Sequence, residues 1–180
     1  MREKALQFAT VAHDERALTE ENRFRKNGTT PYITHPIGVA KIVEAYGGDE
    51  EQITAAFLHD VIEDTQVEYH ELAEMFGQDV AQMVVELTNT SKIDRPDANR
   101  AERKRLDCLK LEGVPDRTKL IKLADIYYNV NDLDGLTPGF ARKLLKEKAV
   151  QAMAVREGNS ELYIQVVSSI IRQLGRLDND

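Results

Sequence analysis

Cysteine, basic charge and long apolar runs are all scarce in this 180-residue chain, and each shortage removes a class of function. Cys108 is the only cysteine, so neither an internal disulfide nor a thiolate metal cluster can form. Its setting, Arg105-Leu-Asp-Cys-Leu-Lys, reads as one apolar position of a helix and not as a nucleophile. No apolar run is long enough to span a membrane. The opening residues mix an acid with the bases and then turn amphipathic, unlike a secretory leader, so no membrane partner and a cytoplasmic location are expected. Lys and Arg number 24 against 31 Asp and Glu, for a formal charge of −7, which argues against nucleic acid as a partner. A small polyanionic substrate stays open if a metal and a few local bases supply positive charge. There are only four histidines, no internal repeat and no low-complexity segment.

Alternation of apolar and polar residues is also missing, so nothing predicts a sheet, and helical spacing runs through almost the whole chain. The expected fold class is all-α, a single domain over 1–180 in a helical bundle. The first helix is predicted over about 2–17, followed by a polar loop from Thr19 to Thr34. Pro36 sits in the first turn of a helix to about Tyr46, closed by Gly47-Gly48. Asp49 caps the next, predicted to run unbroken to about Asp64. Helices over about 68–76 and 78–89 meet at Gly77, and 90–97 reads as an exposed connection. Further helices are predicted over 98–112, from Pro115 towards Gly135, from Thr137-Pro138 to about Arg156, and over 160–174.

The segment His59-Asp60-Val61-Ile62-Glu63-Asp64 places one imidazole and three carboxylates within six residues. On a continuous helix His59 stacks over Glu63 and Asp60 over Asp64, while Leu58, Val61 and Ile62 turn inward. Like charges at that spacing repel by roughly 0.2–0.5 kcal/mol per pair. A divalent metal offsets that cost, since imidazole with carboxylate suits manganese, iron, nickel or zinc. A solvated acidic edge is the alternative for this segment taken alone.

A metal needs further ligands from elsewhere. His35, in Thr34-His35-Pro36, occupies a rigid helix start beside a loop able to cover a substrate; core packing or capping explains it equally well. Asp125 interrupts the apolar stretch Leu120-Ile-Lys-Leu-Ala-Asp-Ile-Tyr-Tyr-Asn-Val, where a carboxylate is costly unless paired or metal-bound. Asn129 lies one turn on along the same face. His13-Asp14 is a second His-Asp pair that lacks the Glu-Asp found after the first, and it reads as structural. His70 reads as solvated. The bases of Glu102-Arg-Lys-Arg either face a phosphate or form a solvated face bracketed by acids.

Several segments in order resemble the HD-domain metal phosphohydrolases, and specifically the hydrolase domain of the RelA/SpoT homologues in their short stand-alone form, the small alarmone hydrolases. They are Arg25-Lys-Asn-Gly-Thr-Thr-Pro-Tyr-Ile-Thr-His-Pro, Ala56-Phe-Leu-His-Asp-Val-Ile-Glu-Asp-Thr, Phe76-Gly-Gln-Asp-Val-Ala, Glu102-Arg-Lys-Arg and Lys122-Leu-Ala-Asp-Ile-Tyr-Tyr-Asn. The resemblance implies removal of the 3′-pyrophosphate from alarmone nucleotides such as ppGpp, a small-molecule partner, with Mn2+ as cofactor at one ion per site. It implies His35, His59, Asp60 and Asp125 as metal ligands, with Glu63 and Asp64 as the catalytic acids that manage the attacking water and the leaving group's proton. Arg25 would pack on the base, Lys26 would approach phosphate and Asn129 would hold the sugar or phosphate region.

Two positions depart from the family pattern: Asn131 stands where an arginine is common, and Ile126 where a basic residue often follows the metal-binding aspartate. An adenine alarmone therefore stays open beside a guanine one. In 180 residues no synthetase half fits, so degradation without synthesis is expected. A nucleotidase acting on deoxynucleoside monophosphates has no need of Arg25-Lys26 or Glu63-Asp64, and a silent nucleotide-binding protein has no need of a metal with acids beside it.

Overall fold

The computed structural model describes residues 1–179 and, apart from Lys92 and Asn179, their side chains. The all-α expectation holds: among the described residues the only extended pairings are two isolated bridges, Ala17 with Thr65 and Phe24 with Pro31. By its contacts the chain forms two compact units, Met1–Thr88 and Asn89–Asp180.

The first unit contains α1 (Arg2–Glu15), a 3-10 turn (Glu20–Arg23), α2 (Thr34–Ala45), α3 (Glu50–Leu58), α4 (Val61–Asp64), α5 (Tyr69–Phe76) and α6 (Gln78–Leu87). Helix α3 is its centre and packs on α1, α2 and α6. Gln52 through Ala56 and Leu58 are buried, so the helix is covered on nearly every side, as an apolar helix without a polar face must be. Its start is fixed by a reciprocal cap: Asp49 Oδ1 accepts from the Gln52 N–H and Gln52 Oε1 accepts from the Asp49 N–H, both at 2.9 Å.

The predicted unbroken helix from Asp49 to Asp64 is corrected here. Helix α3 ends at Leu58, and His59 and Asp60 form a turn before the single turn α4. Asp60 lies at φ −104°, ψ −2°, the sparsely populated bridge between helix and strand where active-site residues recur. The His59 ring bonds the Ala56 carbonyl and anchors the turn. Asp60 still stands one turn below Asp64, whose N–H bonds the Asp60 carbonyl at 2.9 Å.

The second unit contains α7 (Ser91–Asp94), α8 (Arg100–Glu112), α9 (Asp116–Asn131), α10 (Pro138–Ala154), a 3-10 turn (Arg156–Gly158) and α11 (Ser160–Asn179). Thus 90–97 carries a helical turn, and the last helix runs beyond residue 174. Helix α9 is the centre and packs on α10, α11 and the 3-10 turn. Its residues Thr118 through Ile126 are all buried. The predicted starts at Pro115 and Thr137-Pro138 are where the chain turns helical, with the Thr137 hydroxyl accepting from the Phe140 N–H.

Gly158 lies so close to α9 that a Cβ there would stand 2.5 Å from Leu120 N and Lys119 C, both backbone atoms. Gly139, in the first turn of α10, has open space around it. Gly158→Ala should therefore destabilise the protein by about 1–3 kcal/mol through overpacking, whereas Gly139→Ala should be neutral or stabilising by roughly 0.5–1 kcal/mol. Urea denaturation of both variants checks this, and equal midpoints would contradict the close packing at Gly158.

Candidate metal centre

Two elements of the first unit present nitrogen and oxygen donors to one point. His35 sits in the first turn of α2, its N–H bonded to the Tyr32 carbonyl at 2.9 Å. His59 follows the end of α3. Both rings are about 1% exposed, and their Nε2 atoms stand 3.2 Å apart. Asp60 Oδ2 lies 3.0 Å from His59 Nε2 and 3.5 Å from His35 Nε2.

The hydrogen bonding decides what these atoms can hold. His59 Nδ1 lies 2.8 Å from the Ala56 carbonyl oxygen, which can only accept, so Nδ1 carries the proton and Nε2 presents a lone pair. That lone pair faces a carboxylate oxygen and a second imidazole nitrogen, a cluster of donor atoms that one cation can share. Atoms bound to one ion at about 2.1 Å stand roughly 3.0–3.4 Å apart in octahedral or tetrahedral arrangements, close to the separations here. Two imidazoles and a carboxylate suit a divalent transition ion, so the residues fit the metal. A backbone carbonyl on the far ring nitrogen is also the usual support for a metal-binding histidine.

The acids around this point differ in character. Burial alone would push the Asp60 carboxyl up, but His59 and His35 outweigh it and hold it well below the usual carboxylate range. Asp64 is pushed up to about 7, first by burial and then by the negative charges of Asp60 and Glu63. Asn22 Nδ2 donates to its Oδ1 at 2.6 Å. A carboxyl poised near neutrality can both take and return a proton. Glu63 is half-buried on the same turn.

The polar loop predicted over 19–34 is folded tightly. Arg25 N–H bonds the Thr30 carbonyl and Tyr32 N–H bonds that of Arg23, each at 2.8 Å, and Gly28 turns the chain at φ +74°. That left-handed conformation favours glycine. Arg25 is buried, with its guanidinium 5.7 Å from the centroid of the Tyr32 ring. Lys26 is exposed at the tip.

In the second unit Asp125 is buried on α9. Lys122 Nζ stands 2.8 Å and Lys148 Nζ 3.5 Å from its Oδ2, and Asn129 Nδ2 donates to Oδ1 and, at 3.0 Å, to the Asp125 carbonyl. Asn129 thus orients the carboxylate. Asn131 accepts from Arg172 at 3.1 Å, and Ile126 is fully buried in the core. The charged segment of α8 is paired locally, Arg105 with Glu102 at 2.9 Å and Arg103 with the Ala98 carbonyl, which favours a solvated face. Cys108 is buried, and burial pushes its thiol up, as expected of a packing residue. His70 is solvated.

The sequence reading passed over Tyr32 and Lys148 and set His13 apart from the site. Tyr32 donates to Asp60 Oδ2 at 2.5 Å. His13 is 2% exposed, its ring 4.6 Å from that of Tyr32. An aromatic three residues before His35 was the available signal for Tyr32; Lys148 lies far from every motif and offered none.

A model of the HD domain family matches residues 5–158. The guanosine-3′,5′-bis(diphosphate) 3′-pyrophosphohydrolase MESH1 of Xenopus tropicalis is 34% identical over 179 residues, covering 98% of this chain and 90% of its own. The bifunctional (p)ppGpp synthase/hydrolase SpoT of Escherichia coli K12 is 38% identical over 128 residues; the match covers 71% of this chain and 18% of SpoT. A solved metazoan SpoT orthologue, described as hydrolysing ppGpp, superposes with a TM-score of 0.78 at 31% identity, covering 97% of this chain and 95% of that one. The chain belongs to the HD domain family. Within that class it is similar over its length to the stand-alone MESH1 hydrolases. No helix among the described residues is long and apolar enough to cross a membrane.

His13 also sets an acid sensitivity. Burial lowers its pKa from 6.5 to about 4, so the folded protein keeps it neutral where the unfolded chain protonates it. Its contribution to stability is complete above about pH 6.5 and lost as pH falls through about 4, worth up to about 3 kcal/mol. His13→Phe, which keeps a ring against Tyr32, should flatten the fall in metal-free stability between pH 7 and pH 4.5. Urea denaturation at the two pH values measures it, and a fall as steep as in the parent protein would contradict the assignment.

Proposed function

We propose that this chain is a metal-dependent phosphohydrolase that removes the 3′-pyrophosphate of (p)ppGpp or (p)ppApp, giving the nucleoside 5′-di- or triphosphate and pyrophosphate, in the cytoplasm and with one manganese ion per site. The observation that carries this reading is the convergence of His35, His59 and Asp60 beside an Asp64 poised near pH 7. Full-length similarity to named 3′-pyrophosphohydrolases supports the substrate class. Residues 1–180 act as a single HD-type domain in this reading, since the family match runs through both compact units.

His35, His59 and Asp60 hold the ion, and the family resemblance makes Asp125 the fourth ligand. A divalent ion so held supplies a Lewis acid that polarises a phosphoryl oxygen and acidifies a water. Asp64 takes the proton of the attacking water as its oxygen bonds to the phosphorus next to the 3′-oxygen. It then returns that proton to the 3′-oxygen as the bond between them breaks, so the acid ends as it began. Glu63 orients the water, and its charge helps keep Asp64 near neutrality. Arg25, planar and weakly hydrated, packs on the purine, Lys26 meets phosphate, and Asn129 holds the sugar or phosphate region while steadying Asp125.

His59→Ala should abolish both manganese retention and pyrophosphate release from ppGpp. Glu63→Gln should keep the metal and lower kcat by roughly 100-fold or more. Metal analysis with pyrophosphate assays tests both: wild-type turnover in His59→Ala contradicts the metal site, and metal loss in Glu63→Gln makes Glu63 a ligand.

A further inference from the structure

We propose that Tyr32 is the positioning residue of the metal centre, its hydroxyl fixing the Asp60 carboxylate and its ring linking that carboxylate to Arg25. The proposal rests on the metal-site reading above. Tyr32 donates to Asp60 Oδ2, the same oxygen that faces both imidazole nitrogens. An aspartate carboxylate turns easily about its last side-chain bond. A fixed donor on one lone pair holds it, so that its remaining lone pairs meet an ion in one orientation.

The donor itself is held from several sides. The His13 ring lies against the Tyr32 ring at 4.6 Å and 33°, His35 meets it edge-on at 5.8 Å and 71°, and the Arg25 guanidinium covers it at 5.7 Å. Its backbone is pinned as well, N–H to the Arg23 carbonyl and carbonyl to the His35 N–H. Among the described residues neither His13 ring nitrogen has a hydrogen-bond partner, and the ring serves here as a flat face. Through this cage the loop that presents Arg25 and the helix start that presents His35 share one side chain. A nucleotide that engages Arg25 therefore acts on the ring whose hydroxyl sets Asp60.

Partners of this kind, hydrogen-bonded to a ligating carboxylate, are worth roughly 10–100-fold in metal affinity. Tyr32→Phe removes the hydroxyl and keeps the ring in its cage. Manganese affinity of the metal-stripped full chain, read from the electron spin resonance of free Mn2+, should weaken by about that factor. The metal-free melting temperature and helical circular dichroism should stay at parent values, as a purely structural role would not allow. His70→Ala, far out in solvent, should leave the affinity unchanged. Parent-level affinity in Tyr32→Phe overturns the role of Tyr32 and leaves the metal site standing, whereas a parent protein that binds no manganese overturns both. If Tyr32→Phe fails to fold, manganese titration of the parent protein decides: a tyrosine band in the near-ultraviolet difference spectrum supports the proposal, and a silent spectrum overturns it.

Discussion

Two imidazole nitrogens and a carboxylate oxygen stand within 3.5 Å of one another, and the first unit is arranged to keep them there. Such a point can share a divalent ion among its donor atoms. Helix α3 is buried nearly all round, so its end is a fixed place, and the turn at His59-Asp60 aims both side chains at the start of α2. Burial, with the charges of Asp60 and Glu63, keeps Asp64 near neutrality, one turn from Asp60. In the proposed reading, metal binding and proton transfer arise from one packing arrangement.

The second unit repeats the principle with different means. Helix α9 is also a central, buried helix that carries a carboxylate, Asp125, at a cost its neighbours offset. Lys122 and Lys148 supply two ammonium groups, and Asn129 supplies an amide from the next turn. A buried charge with so many partners is held in one orientation.

Much of this was legible in the residues. Asp49, Gly77, Pro115 and Thr137-Pro138 marked helix boundaries because capping and backbone restriction are local effects. His59 and Asp60 stood out as part of a dense imidazole-carboxylate cluster, His35 by its place at a proline-fixed helix start, and Asp125 because a carboxylate is costly inside an apolar helix. The break after Leu58 was not legible, since the local pattern is equally good for a continuous helix and a ring-to-carbonyl bond from His59 helps to set the turn. Nor was the role of His13, which depends on Tyr32 arriving from a loop about twenty residues away in sequence. Pairings across that distance are set by tertiary packing and leave no periodicity to read.

The most direct test of the account is product analysis by anion-exchange chromatography, after metal-stripped and manganese-reloaded protein has been incubated with ppGpp, pppApp and dAMP side by side. Manganese-dependent release of pyrophosphate from at least one of the two alarmones is the predicted result, and the better substrate fixes the base preference. Phosphate released from dAMP alone, or no turnover with any divalent metal, would contradict it.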